Sequence, residues 1–392
     1  MRKTNILLAA CGLLLSSCLL CACGSNEPVN PDNPDNPDNP DNPDTPDTTE
    51  VPIYEQGDKK AVNGAGLLFF ETMGFNTKDA SIFEENNERY IVYAGQEEAK
   101  GAQVFAARKG TLKDGAWVYG EKKVILKGAT GDSAWDKFIY QPSVVKGTFK
   151  YNTKDYKYLM AYQGNSDGSN FNNNIGLAVS NDILGSWERV GTAPLIKNPE
   201  IYEASYGFGS PILLNVDQKG SLLIAYSFGE TLLSGERVKS LNALDLNSPV
   251  LESGYAELPT AGLLGRDDGI ITNAGLALGK NNDFYIANDG MTSSNAPGNA
   301  TSFEVAKAGS GLISDVSTTW AQIKKVTGND TIDPKNTESL GWDELCSADF
   351  VTDAYGRVDD TKEKLEIVYT SFNEGVGDAA YSGQLCSIEV AK

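Results

Sequence analysis

An internal repeat runs through most of this chain. Five segments share one order: a short apolar run, a turn of Gly, Asn or Asp, and a stronger β-rich run. They begin at Asp79-Ala-Ser-Ile-Phe, Gln141-Pro-Ser-Val-Val, Ser210-Pro-Ile-Leu-Leu, Ala274-Gly-Leu-Ala-Leu and Ala348-Asp-Phe-Val-Thr, spaced 62, 69, 64 and 74 residues apart. The matching second runs are Arg89-Tyr-Ile-Val-Tyr-Ala, Lys157-Tyr-Leu-Met-Ala-Tyr, Ser221-Leu-Leu-Ile-Ala-Tyr, Asp283-Phe-Tyr-Ile-Ala and Lys364-Leu-Glu-Ile-Val-Tyr. Helical periodicity is poor throughout, so each run reads as a strand.

Third and fourth strands repeat as well. Val104-Phe-Ala-Ala-Arg leads to Trp117, Ile175-Gly-Leu-Ala-Val-Ser to Trp187, and Phe303-Glu-Val-Ala-Lys to Trp320. The third unit has a weaker outer strand around Tyr255. Four strands repeated radially predict an all-β, five-bladed β-propeller with four-stranded blades. The fifth unit stops after Leu385-Cys-Ser-Ile-Glu-Val, one strand short. An N-terminal strand, Pro52-Ile-Tyr-Glu or Leu67-Leu-Phe-Phe, would close the last blade and remove its open edge. A pair of β-sandwiches built from similar strands is the alternative.

The residues before the repeat divide in two. Residues 1–22 read as a lipoprotein signal peptide: Arg2 and Lys3, an apolar run from Ile6 to Leu20, and small residues ending in Cys23. Cys18 is a second possible lipidation point, but cleavage there would leave Leu19 and Leu20 on the mature end. Residues 23–50 then form a lipidated-Cys tether whose Asn-Pro-Asp repeat forbids helix and favours a disordered, extended chain. The domain expected to carry function is 51–392. The tether carries eight acids and no base, which leaves the body with 31 basic and 45 acidic residues, a net −14 of the chain's −20. Such a surface excludes nucleic acid as a partner.

The chain has no histidine. That excludes Ser-His-Asp and Cys-His catalysis and His-ligated zinc, and leaves carboxylates, Lys, Tyr or Cys for acid–base work. Cys346 and Cys386 are the only cysteines of the body, and the sequence leaves open whether they pair.

Asp79-Ala-Ser-Ile and the run Ile175-Gly-Leu-Ala-Val-Ser-Asn-Asp-Ile-Leu-Gly-Ser-Trp187 resemble the five-bladed glycoside hydrolases of family 43 and its relatives in families 32 and 130. Acidic residues just after Cys23 resemble the export signal of surface lipoproteins in glycan-foraging Gram-negative bacteria. The resemblance implies an outer-membrane, surface-exposed lipoprotein anchored through its lipid and acting on an oligo- or polysaccharide. It also implies two carboxylates facing each other across the scissile bond, roughly 5–9.5 Å apart. Asp79 matches the position of the base. The later equivalents, Gln141, Ser210, Ala274 and Ala348, lack the Asp and Glu that the family shows among them.

Other acids are therefore candidates for the catalytic set with Asp79: Glu203, Asp267 and Glu344, with Asp136 and Asp268 in similar loops. Arg266-Asp267 and Glu344-Leu-Cys346 loosely resemble the RDP and EC motifs of family 32. Phe138, Tyr140, Gln141, Tyr206, Phe208 and Trp342, and Phe75 beside them, are candidates for holding a sugar, since aromatic faces stack on sugar C–H faces and amides take its hydroxyls. No cofactor or metal site is expected, although acidic loops leave room for a structural calcium ion. Three functions stay open: glycan hydrolysis, glycan binding on a degenerate hydrolase scaffold, and a propeller for a protein partner.

Overall fold

A computed structural model of the chain describes residues 66–69, 77–96, 103–169, 171–198, 205–229, 234–264, 271, 273–290, 302–315, 317–327, 330, 342–373 and 382–392. Every named element completed by these residues is a strand. β1 is Gly66–Leu67. The first group is β2 (Thr77–Glu85), β3 (Glu88–Gln96), β4 (Gln103–Lys113), β5 (Ala116–Tyr119) and β6 (Lys123–Lys127). The second is β7 (Phe138–Tyr151), β8 (Lys154–Asn165), β9 (Asn174–Ser180) and β10 (Glu188–Arg189). The third is β11 (Gly207–Asn215), β12 (Ser221–Gly229), β13 (Ser234–Asn242), β14 (Val250–Leu251) and β15 (Ala256–Glu257). The fourth is β16 (Gly275–Leu278), β17 (Phe284–Gly290), β18 (Ser302–Ala308) and β19 (Ala321–Thr327), and the fifth β20 (Trp342–Asp353), β21 (Lys364–Asn373) and β22 (Ser382–Ala391).

Within each group the strands run as an antiparallel meander in chain order, except that β6 pairs with β4 and β15 with β13. The first and fifth groups merge because β2 and β20 pair in parallel, Ile82 opposite Val351 and Glu84 opposite Asp353. β1 pairs with β22 antiparallel, Leu67 opposite Cys386. This is the Leu67 segment proposed from sequence; Pro52–Glu55 lies outside the described residues. The expected outer strands are present, and the third group splits its outer strand into β14 and β15, which accounts for the weak signal there.

The apolar residues sit between groups. One cluster packs the second group on the third (Val145, Leu177, Leu213, Ile224) and another the third on the fourth (Leu214, Ala225, Leu276, Ile286). A third packs the fourth on the fifth (Phe303, Val305, Phe350, Ile367), a fourth the first on the second (Phe83, Phe105, Met160), and a fifth the first on the fifth (Ile91, Val104, Val368, Leu385). Both faces of a sheet are thus covered, so its inner strands read as near-continuous apolar runs. Each fully buried Phe or Leu contributes about 1.5–3 kcal/mol.

Inner strands are stitched at their seams. Ser81 Oγ accepts the Val144 amide at 3.1 Å and Ser143 Oγ the Leu213 amide at 2.9 Å. Cys346 and Cys386 form no disulfide, and burial pushes the Cys386 thiol up to about 12.

Candidate functional site

Five non-glycine residues in or just before the inner strands hold left-handed backbone: Asp79 (φ 54°), Gln141 (φ 51°), Ser210 (φ 46°), Asn273 (φ 45°) and Ser347 (φ 51°). In four of these strands the residue sits where the ladder slips register, a β-bulge that re-aims its side chain. Such backbone is uncommon outside glycine and costs about 1–2 kcal/mol per residue. In the fourth and fifth units the equivalent residue lies one position earlier than the sequence pattern predicts. Ala274 and Ala348 are buried core residues, and the residues one position earlier, Asn273 and Ser347, occupy the special conformation.

These five side chains form two hydrogen-bonded arcs. In the neutral arc Gln141 Nε2 donates to Asn273 Oδ1 at 3.2 Å, and Ser210 N donates to Gln141 Oε1 at 2.8 Å. Ser210 Oγ lies 2.9 Å from Gln141 Oε1 and 3.2 Å from Asn273 Oδ1. Behind them Gln163 Oε1 accepts the Tyr206 hydroxyl at 3.0 Å and Ser210 N at 3.2 Å. In the acidic arc Ser347 Oγ donates to Asp79 Oδ1 at 2.8 Å, while Ser347 N donates to Asp289 Oδ2 at 3.1 Å. The Asp79 amide donates to Thr370 Oγ1 at 3.2 Å. Lys78 Nζ is 3.9 Å from Asp79 Oδ2 and lies over the Tyr140 ring, 4.9 Å from its centroid.

Of the predicted acids, only Asp79 is placed in this cluster. Glu203, Asp267 and Asp268 lie outside the described residues, as does Phe75. Glu344 and Trp342 belong to β20, opposite Phe372 and Asn373, and their side chains lie outside the described set. Asp136 is structural: it is buried, takes the Arg189 guanidinium at 2.7 Å and accepts the Tyr162 hydroxyl at 2.9 Å. Asp289 is the acid that sequence reasoning missed. It ends the fourth unit's second strand and is only 2% exposed.

The aromatic predictions divide. Phe208 is a core residue, edge-to-face with Tyr226 at 5.5 Å, so it is a wedge and not a sugar platform. Tyr140 is 7% exposed and covered by Lys78, which removes its face from stacking. Tyr206 and Phe138 are half-buried. Gln141 is in the cluster as expected. Among the described residues, no three Asp, Glu or Cys side chains converge to hold a metal ion.

Chemically, the cluster offers hydroxyls, amides and one carboxylate, Asp79, that is 8% exposed. Comparison with known folds bears on what it serves. The chain aligns with Zg3597, a family 117 glycoside hydrolase of Zobellia galactanivorans, over 84% of its length and 90% of the other (TM-score 0.52, 11% identity). It aligns with a second glycoside hydrolase over 84% and 91% (TM-score 0.52, 14% identity). BT0996, solved as an RGII complex, aligns over 84% and 92% (TM-score 0.52, 16% identity). The chain has a glycoside hydrolase-like fold. No protein-family model matches it, and no curated protein matches it in sequence.

Proposed function

We propose that this chain is a surface-displayed glycan-binding protein, a five-bladed propeller over residues 51–392 that keeps a hydrolase-like scaffold without its catalytic set. The observation that carries this reading is the composition of the central cluster: of five positions with matching backbone, one is a carboxylate and four are amides or hydroxyls. Glycoside hydrolysis needs an acid and a base on opposite sides of the scissile bond. Among the described residues the second carboxylate at this cluster is Asp289, which accepts the amide of the serine whose hydroxyl bonds Asp79 and is almost fully buried, a poor position from which to protonate a leaving group. Amides and hydroxyls are suited to holding sugar hydroxyls without turning them over.

The circular order of the core clusters and the pairing of β1 with β22 support five blades closed by an N-terminal strand. Lipidation at Cys23, an outer-membrane anchor and display on an extended tether complete the proposal on sequence grounds. Incorporation of labelled palmitate in wild type and its loss in Cys23→Ser test the anchor.

Affinity electrophoresis through a panel of polysaccharides tests the binding. Retardation by at least one glycan, reduced in Asp79→Asn, is the expected result; free migration in every gel sinks the proposal. Hydrolysis by Asp79 and Asp289 is the second reading, favoured by the serine that links them. Reducing ends released by wild type and absent in both Asp79→Asn and Asp289→Asn would establish it.

A further inference from the structure

One backbone N–H fixes the polarity of the neutral arc. Ser210 N can only donate, and it points at Gln141 Oε1. The oxygen end of Gln141 therefore faces Ser210, and its amide nitrogen is directed at Asn273 Oδ1. The Ser210 hydroxyl also lies within reach of that oxygen. Asn273 thus spends its acceptor on the protein and keeps its two amide protons. Among the described residues, no partner takes them. In the other arc the Ser347 hydroxyl takes Asp79 Oδ1. Asp79 Oδ2 is left with Lys78 at 3.9 Å, too far for a hydrogen bond.

The arrangement is braced. Gly209 lies against Gln163 and Tyr206 so closely that a Cβ there would fall 2.1 Å from Gln163 Oε1 and 2.1 Å from the Tyr206 hydroxyl. A larger residue at 209 would have to push those two side-chain ends aside, and the hydrogen bonds from the Tyr206 hydroxyl and Ser210 N to Gln163 Oε1 hold Gln163 in place.

We propose that the cluster reads a sugar through a fixed acceptor–donor pair: Asp79 Oδ2 accepts one sugar hydroxyl and Asn273 Nδ2 donates to another sugar oxygen. The pair selects uncharged, hydroxyl-bearing rings over uronates. A sugar hydroxyl can both donate and accept, so a neutral ring satisfies both ends. A uronate carboxylate only accepts. It would satisfy Asn273 but bring a like charge beside Asp79 and Asp289, with Lys78 as the one nearby cation among the described residues. This inference rests on the glycan-binding reading.

The test is calorimetric titration with neutral gluco-, galacto-, manno-, xylo- and arabino-oligosaccharides and with oligogalacturonate. Wild type is expected to bind at least one neutral oligosaccharide and to bind oligogalacturonate at least tenfold more weakly. Asn273→Asp, which replaces the amide nitrogen by a charged oxygen of the same shape, is expected to weaken the neutral ligand at least tenfold. Asp79→Asn is expected to weaken it similarly and to narrow the gap to oligogalacturonate. Circular dichroism and melting check that each variant folds, and Asn273→Ser replaces Asn273→Asp if that one does not. Unchanged neutral-ligand affinity in the Asn273 variant, or oligogalacturonate bound as tightly as any neutral ligand by wild type, overturns the inference while leaving glycan binding intact. No binding of any glycan by wild type overturns both.

Discussion

At the scale of single residues, the cluster stores backbone cost in exchange for aim. Ser210 sits at φ 46° and spends its amide and hydroxyl on Gln141. A β-branched residue tolerates that backbone poorly, so Ser210→Val should lower unfolding free energy by about 2–3 kcal/mol. Ser210→Gly relieves the backbone and should lose under about 1 kcal/mol despite the missing hydroxyl. Urea melts of the two variants check the ordering; Gly falling below Val contradicts it. Asp79 was legible in the sequence because it opens a run that resembles a known motif. Ser347 was missed by one position because a bulge adds a residue without altering the apolar pattern, and Asn273 because it lies just before its strand begins at Gly275. Asp289 was missed because it ends a strand instead of lying in an entry loop. The Asn288-Asp289-Gly290 ending of an apolar run was the available signal.

At the scale of elements, the inner strands of the fourth and fifth groups approach so closely that one must carry glycine. A Cβ on Gly275 would fall 2.5 Å from the Ala348 carbonyl oxygen and 2.6 Å from Asp349 Cα. Backbone cannot yield as a side chain can, so Gly275→Ala should cost about 2–3 kcal/mol, read as a lowered urea midpoint. Asp349 lies in the same seam, where burial pushes its carboxyl up to about 7 against one opposing hydrogen bond from Phe350 N. A raised acid favours the folded state while protonated. That stability is fully present below about pH 4 and is lost as pH rises through 7. Asp349→Asn should therefore stabilise at pH 8 and change little at pH 4. Equal effects at both pH values contradict this. The strands themselves were legible because each inner run is apolar on both faces, whereas outer strands such as β14 and β15 are short and partly exposed and leave little pattern.

At the scale of the whole molecule, the first and last groups are joined by more than the β2–β20 ladder. Arg89 is 2% exposed and takes Glu366 with both terminal nitrogens at 2.7 Å, and Glu84 at 2.5 Å, under the Trp117 ring. Arg89→Met leaves two carboxylates close together. Because both acids reach water, the expected loss is about 2 kcal/mol, below the ~3–5 of a fully buried pair. An unchanged melting temperature would show that the clasp does not hold the seam. The all-β class was readable from periodicity. The chemistry of the centre was not, because it depends on which of several acids the blades bring together, and sequence spacing does not report that.

On the proposed reading, this scaffold binds glycan without cleaving it. The most direct measurement is the release of reducing ends over a long incubation of wild type with a polysaccharide already shown to retard it in a gel. No release above the protein-free control is predicted. Release that disappears in Asp79→Asn would contradict the account.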